Sequence, residues 1–153
     1  MLFGQHFQIA YVTRNIDKAL EDFQKRTGCG KALRFEPTVE VTTPTGSGKA
    51  TNKIALIWID GVQYELIEPV SGLVQVYQDA LPADDGLQFH HICMRVPDWD
   101  EFRSQVERER YPVVIEGGGD DLRFLYLDAR DFVGHYLEYT WMKPKIWAAL
   151  GGR

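Results

Sequence analysis

Two similar stretches of sequence decide the fold: FQIAYVTRNIDKALEDFQKRTG at residues 7–28 and HHICMRVPDWDEFRSQVERERYP at residues 90–112. Each begins with mixed apolar and polar residues and reaches a β-branched residue, which predicts a strand. A polar residue, Asn15 or Asp98, then precedes apolar residues at helical spacing. Both are good N-caps because their side-chain oxygens can accept a free backbone N–H of the first helical turn. Each copy therefore predicts a strand followed by a helix.

Further strands are expected after each helix, because short runs of β-branched and aromatic residues follow there. Asp60-Gly61 lies between two of these runs and is a hairpin signal, since glycine tolerates the positive φ that such turns require. The segment 43–52 is rich in Thr, Gly and Ser and is expected to be a mobile loop. The predicted strands are residues 39–43, 53–59 and 62–67 in the first half and residues 112–115, 122–127 and 135–141 in the second.

The repeat also predicts the organisation of the chain. Its 153 residues suffice for a single domain with its own core. Within residues 1–153 we expect one β-α-β-β-β module at 5–80, a second at 87–142, and a tail at 143–153 whose apolar residues can form one helical turn. The predicted fold class is α+β, with the two modules paired.

Composition excludes several classes of function. Hydrophobic residues make up 44% of the chain and charged residues 25%, which is ordinary for a globular protein. The net charge of −5 and the lack of a basic patch argue against nucleic-acid binding. No apolar run approaches the roughly 20 residues of a membrane span, and the N-terminus lacks the pattern of a signal peptide. We therefore expect a cytoplasmic protein with no membrane or nucleic-acid partner.

One polar residue stands in the middle of each of four predicted strands: Gln8, Glu65, His91 and Glu138. Any one of them alone is most simply a residue on a solvated strand face. Carboxylates among apolar neighbours are costly to bury unless they are paired or bound to a cation, however. Four such groups at matching points of two related modules therefore indicate a divalent-metal site. His6 is an alternative first ligand, because alternate residues of a strand share a face and His6 lies two residues before Gln8.

These residues carry a resemblance to the vicinal oxygen chelate superfamily, in the segments QIAYVTRNIDKAL, VQYELIEP, FHHICMRVPDWDEF and GHYLEYTW. The superfamily includes glyoxalase I, methylmalonyl-CoA epimerase, extradiol dioxygenases, fosfomycin-resistance enzymes and bleomycin-binding proteins. Over about residues 5–142, the resemblance implies paired modules that form a cup-shaped, barrel-like mixed sheet around one metal ion. It places the metal ligands at Gln8, Glu65, His91 and Glu138, a set similar to that of some glyoxalase I enzymes and close to that of the epimerases.

The resemblance also implies a reaction. In the glyoxalase and epimerase branches a carboxylate removes a proton α to a carbonyl, and the metal stabilises the resulting enolate. The chain would thus be a metal-dependent lyase or isomerase, with Glu138 as the first choice of base and Glu65 as the second. The implied metal is zinc, nickel, cobalt or manganese. The implied substrate is a small carbonyl compound, a thioester or a thiol conjugate, and the implied assembly is a homodimer.

Neighbouring residues extend the candidate site. Arg95 shares the predicted strand face of His91, and Tyr136 shares that of Glu138, so both are candidate substrate-binding residues. His90 alternates to the opposite face from His91 and is expected to be structural.

Two other functions remain open at this point. An iron-dependent dioxygenase would require His6 as a ligand, or an unusual glutamine ligand at Gln8. A metal-free protein that binds a small aromatic molecule, as the bleomycin-binding proteins do, would carry a tryptophan-lined groove. Fold membership does not decide among these functions, because function depends on the site that a fold carries.

Overall fold

The computed structural model describes residues 3–153, which form nine strands and four helices. The first half contains β1 (Gln5–Val12), α1 (Ile16–Thr27), β2 (Leu33–Phe35), β3 (Thr38–Thr43), β4 (Gly46–Ile59), β5 (Val62–Gly72) and α2 (Gln75–Gln78). The second half contains β6 (Gln88–Arg95), α3 (Trp99–Arg108), β7 (Val113–Gly118), β8 (Leu122–Ala129), β9 (His135–Met142) and α4 (Pro144–Ala149). The predicted α+β class is confirmed.

The strands form a single mixed sheet that closes on itself. Their order is β2-β4-β3-β7-β8-β9-β6-β1-β5, and β4 also pairs with β5. Within each half the first and last strands run parallel, as β1–β5 and β6–β9. The halves meet at two seams, where β1 pairs with β6 and β3 pairs with β7. The predicted barrel-like mixed sheet is therefore confirmed.

The helices α1 and α3 begin at the predicted caps. The Asn15 side chain accepts the Lys18 backbone N–H at 3.1 Å, and the Asp98 side chain accepts that of Glu101 at 2.9 Å. Each helix then packs its apolar stripe on the outside of the sheet. The buried helical residues are Ile16, Ala19 and Leu20 in α1 and Phe102 and Val106 in α3.

The segment 43–52 is not the mobile loop that its composition suggested. A short turn follows Thr43, and from Gly46 onward the chain is strand β4. Residues 46–51 pair with β3, and residues from Ala50 onward pair with β5. The prediction was wrong because Gly and Ser content describes local preference, whereas two neighbouring strands supply the backbone hydrogen bonds here.

Two short helices pack toward opposite ends of the barrel. In α2, Tyr77 joins the buried cluster near the end of β1 at Val12. In α4, Trp147 packs edge-on against Phe7, near the start of β1, with ring centroids 5.0 Å apart. The tail therefore forms a helical turn that packs on the barrel. Within residues 3–153, no helix has the length and apolarity needed to cross a membrane.

Candidate active site

Three of the predicted ligands converge inside the barrel. Glu65 on β5, His91 on β6 and Glu138 on β9 each offer one ligand atom, and these atoms lie within 4.8 Å of one another. His91 Nε2 lies 2.9 Å from Glu138 Oε2 and 3.6 Å from Glu65 Oε2. The strands that carry them, with β1, are contiguous in the order β9-β6-β1-β5. Residues at the middle of these strands therefore meet at one level of the barrel.

A β-bulge turns a second histidine inward. In the pairing of β1 with β6, Ala10 lies opposite His91 but Tyr11 lies opposite Phe89, so His90 is an extra residue. A bulge of this kind re-aims side chains. His90 is accordingly buried, and its Nδ1 lies 2.8 Å from Nδ1 of His91. The prediction that His90 points away from His91 was wrong, because simple alternation fails where the register shifts.

This contact fixes which nitrogen of His91 faces the carboxylates. His90 Nε2 lies 2.9 Å from the Val76 carbonyl oxygen, and since a carbonyl only accepts, His90 Nε2 must donate. Burial, aided by the charge of His91, lowers the pKa of His90 to about 3, so His90 is neutral and its Nδ1 accepts. The Nδ1–H of His91 must then donate to it. A neutral His91 consequently presents a bare Nε2 to Glu65 and Glu138.

A positive charge between Glu65, His91 and Glu138 would stabilise the two buried carboxylates. Burial alone lowers the pKa of His91, but hydrogen bonds and charge from Glu138 and Glu65 outweigh it and raise the pKa to about 9. Burial raises the pKa of Glu65, and the charge of Glu138 raises it further, whereas the hydrogen bond from His91 opposes them. Either a proton on His91 Nε2 or a cation can therefore satisfy the two carboxylates.

The donor atoms fit a divalent metal ion. Gln8 Oε1 is buried without a hydrogen-bond partner, and the contacts of Glu65 Oε2 and His91 Nε2 lie within the Glu65–His91–Glu138 cluster. Metal–ligand bonds of about 2.0–2.2 Å place neighbouring ligands roughly 3.0–3.5 Å apart. The observed separations of 2.9 and 3.6 Å from His91 Nε2 lie close to that range. Mixed imidazole, carboxylate and amide ligands suit a borderline cation such as zinc, nickel, cobalt or manganese.

A chain of hydrogen bonds sets the orientation of the Gln8 amide. Gln8 Nε2 donates to Gln63 Oε1 at 2.7 Å, and Gln63 Nε2 donates to the Leu150 carbonyl at 3.3 Å. Trp58 Nε1 donates to the same carbonyl at 2.6 Å. The Leu150 carbonyl can only accept, so the amide nitrogen of Gln63 must face it and the amide oxygen of Gln63 must face Gln8. Gln8 therefore donates through Nε2, and its Oε1 has no hydrogen-bond partner. Gln63 shares a strand face with Glu65 in the sequence pattern, but we did not predict it as a site residue.

His6 lies outside this arrangement. The register of β1 against β6 shifts between His6 and Gln8, so the two do not share a face. Phe7 is buried instead, and His6 is exposed with its Nε2 3.1 Å from the Gln8 carbonyl oxygen. The shared face that made His6 an alternative ligand is therefore absent.

Arg95 and Tyr136 do not line the cavity beside the three ligands. The Arg95 guanidinium lies over the ring of Trp147, 4.4 Å from its centroid. Tyr136 stacks on His90 with ring centroids 4.8 Å apart, and Arg130 covers its ring. In the described structure these two residues support the surroundings of the site and do not face its interior.

The barrel interior holds a cavity of about 230 Å³. Gln8, Glu65 and Glu138 contribute to its wall, and most of the remaining wall is apolar. A substrate in this cavity would reach the two carboxylates directly, and the imidazole of His91 lies in contact with both.

Comparison with known proteins agrees with this architecture. Residues 7–126 match the family model of the Glyoxalase/Bleomycin resistance protein/Dioxygenase superfamily. No curated protein sequence matches the chain significantly. Among solved structures, methylmalonyl-CoA epimerase from Mycobacterium tuberculosis aligns with a TM-score of 0.60 and 18% identity over 97% of both chains. The Streptomyces coelicolor methylmalonyl-CoA epimerase in complex with 2-nitronate-propionyl-CoA aligns with a TM-score of 0.65 and 16% identity, over 92% of this chain and 96% of the other. A hypothetical protein from Bacillus halodurans has a TM-score of 0.60 and 19% identity, over 91% and 94%. At such identities the similarity establishes the fold alone.

Proposed function

We infer a function from one established premise: the chain belongs to the glyoxalase/bleomycin resistance protein/dioxygenase superfamily. Its structural similarity to methylmalonyl-CoA epimerases fits an isomerase-like role. We propose that the chain is a divalent-metal-dependent isomerase or lyase that removes a proton from the carbon next to a carbonyl. The observation that carries this proposal is the convergence of Glu65, His91 and Glu138 on one point of a buried cavity, beside the unpartnered Gln8 Oε1.

Gln8, Glu65, His91 and Glu138 are the proposed metal ligands. Gln8 would bind through Oε1, which the Gln63 contact leaves free, and His91 through Nε2, which the His90 contact leaves bare. When bound, the cation supplies Lewis-acid polarisation of a substrate carbonyl.

Glu138 is the proposed base, and Glu65 is the second choice. Both side chains are about nine-tenths buried and contribute to the cavity wall, so a substrate α-proton can approach either carboxylate. Glu138 would accept that proton and return it to the same or a neighbouring carbon, which is the step that epimerisation and isomerisation share. The low dielectric of the cavity strengthens the electrostatic interactions between these carboxylates, the cation and the substrate, because little water screens them.

The dioxygenase alternative keeps only the unusual Gln8 ligand, because His6 is exposed and does not line the cavity. The metal-free alternative predicted a tryptophan-lined groove. Among the described residues, Trp58 and Trp147 pack behind Phe7 and the cavity wall contains no tryptophan. Neither alternative therefore has an observation in its favour.

Metal content and α-proton exchange test the proposal. The purified protein, reconstituted with zinc, nickel, cobalt or manganese, is expected to hold close to one ion per chain by mass spectrometry. A His91→Ala/Glu138→Ala variant is expected to lose it. No bound metal under any loading would contradict the proposal, and a preference for iron with oxygen uptake would favour a dioxygenase.

Exchange is measured by proton NMR in deuterated water on α-hydroxy ketones, hemithioacetals and acyl-CoA thioesters. For a compound that exchanges, Glu138→Gln is expected to abolish exchange while most of the metal remains. Thr140→Val is the matched control, since Thr140 lies two residues along β9, lines the same cavity and donates to the Arg123 carbonyl oxygen. Unchanged exchange in Glu138→Gln would assign the base to another residue, with Glu65→Gln as the next variant.

A further inference from the structure

The cavity has an unusual distribution of polar groups. Most of its wall is apolar, formed by side chains such as Val39, Ile54 and Phe124. Three other polar residues of the wall have partners: the Tyr77 hydroxyl donates to the Tyr126 hydroxyl at 3.0 Å, and the Thr140 hydroxyl donates to the Arg123 carbonyl oxygen. Each of these three hydroxyls therefore takes part in at least one hydrogen bond within the wall.

Asn52 is the exception. It lines the cavity and is 8% exposed, and its Oδ1 is buried without a hydrogen-bond partner. Buried amides are nearly always hydrogen-bonded, so an unpartnered amide on a cavity-lining residue is suited to a ligand. Among the cavity-lining residues within 3–153 that carry a buried polar atom without a hydrogen-bond partner, Asn52 is the one that does not belong to the proposed metal site.

Asn52 lies at a distance from the carboxylates. Leu56 pairs with Glu65 in the β4–β5 ladder, and Asn52 precedes Leu56 by four residues on the same strand face. Four residues of extended chain span roughly 13 Å. The two polar positions are therefore separated along the barrel wall by apolar side chains, with Ile54 between Asn52 and Leu56.

Within the described structure, the cavity wall has no cationic side chain that could pair with a negatively charged part of a substrate. Among residues 3–153, no Lys or Arg side chain lines it. Its volume of about 230 Å³ is also below the roughly 300–1,000 Å³ of common ligand pockets. Large anionic carriers such as a nucleotide thioester or a peptide thiol would find neither space nor a counter-charge inside.

The geometry points to a small, neutral and mainly apolar substrate that carries a hydroxyl group at the end opposite its reacting carbonyl. This inference rests on the proposed function for the position of the carbonyl, beside Glu65 and Glu138. Asn52 would bind the hydroxyl, which can donate to Oδ1 or accept from Nδ2 and so suits either orientation of the amide. Asn52 is then a specificity-determining residue, because a substrate without the hydroxyl leaves a buried amide unsatisfied.

Three probes of matched shape test the inference on the metal-free protein: para-butylphenol, butylbenzene and para-butylbenzoate. Dissociation constants come from NMR titration. The phenol is expected to bind about 2–12-fold tighter than butylbenzene, the worth of one buried hydrogen bond. The benzoate is expected to bind more weakly than both. A benzoate that binds as tightly as the phenol, or a phenol that binds no better than butylbenzene, would overturn the inference.

Two variants locate the effect. Asn52→Leu is expected to remove the preference for the phenol while butylbenzene still binds. Ile54→Val, the control on the same wall, is expected to change the binding of both probes to the same extent. A preference that survives in Asn52→Leu would overturn the assignment of Asn52, and the smaller Asn52→Ala substitution provides the same test if Asn52→Leu does not fold. These probes bind without metal, so their result does not depend on the proposed function. Failure of the proposed function would instead appear as a wild-type protein that binds no metal.

Discussion

Replacement of Gln63 by leucine is expected to weaken metal binding while the protein stays folded. Gln63 is buried and joins Gln8 Nε2 to the Leu150 carbonyl. Leucine is close to glutamine in size but neither donates nor accepts, so the Gln8 amide would lose the partner that keeps its oxygen free. Loss of a group that orients a ligand typically costs about 10–100-fold in metal affinity, which is about 1.4–2.7 kcal/mol.

The same substitution has a separate cost in stability. The N–H of Gln8 would be left buried and unpaired, which costs about 1–3 kcal/mol of the free energy of unfolding. In a chain of this length each kcal/mol corresponds to about 2–4 °C in Tm. We therefore expect a Tm lower by about 2–12 °C, with the barrel still folded by circular dichroism.

Isothermal titration with zinc, in competition with a chelator of known affinity, measures the first effect. Trp58→Phe is the matched control, because Trp58 donates to the same Leu150 carbonyl at 2.6 Å but forms no hydrogen bond with Gln8. It is expected to lower Tm and leave the zinc affinity unchanged. Equal losses of zinc affinity in both variants, or wild-type affinity in Gln63→Leu, would refute the orientation of Gln8 through Gln63.

Three further outcomes are expected. His90→Phe removes the acceptor of the His91 Nδ1–H, so zinc affinity should fall about 10-fold in the same titration; wild-type affinity would show that His91 needs no such partner. Zinc at 100 times its dissociation constant should add about 2.7 kcal/mol of stability, or about 5–10 °C in Tm by calorimetry, reversed by chelator and absent in His91→Ala; an equal shift in that variant would place the ion elsewhere. Trp147→Ala should cost about 3–5 kcal/mol in urea unfolding, since Trp147 is buried between α4 and the barrel; a loss below about 1 kcal/mol would mean that α4 is not held by this ring.

Local patterns in the sequence predicted where two helices and one hairpin begin. Asn15 and Asp98 precede residues at helical spacing, and a cap with such a stripe depends on about a dozen neighbouring residues. The Asp60-Gly61 hairpin is equally local, and both residues have the positive φ that was expected. The two helix caps and the hairpin turn are present in the structure because each depends on residues that are close together in the sequence.

The register of paired strands was harder to predict. His6 and His90 each lie at a shift in the pairing of β1 with β6. A single extra residue reverses which side chains face inward, and strand alternation has no means to signal it. The strand character of residues 46–52 escaped prediction for a related reason, since their partners are two other strands.

The sequence by itself predicted two β-α-β-β-β patterns, with Gln8, Glu65, His91 and Glu138 in the middle of four strands; the structure adds the short strand β2 to the first pattern. Periodicity and capping are properties of consecutive residues, so they can be read without a structure. Only the tertiary structure decided that His90 supports His91, that Gln63 orients Gln8, and that Asn52 opens onto an apolar cavity. These contacts join strands that are distant in the chain, and their geometry depends on bulges and on closure of the barrel, which no local pattern encodes.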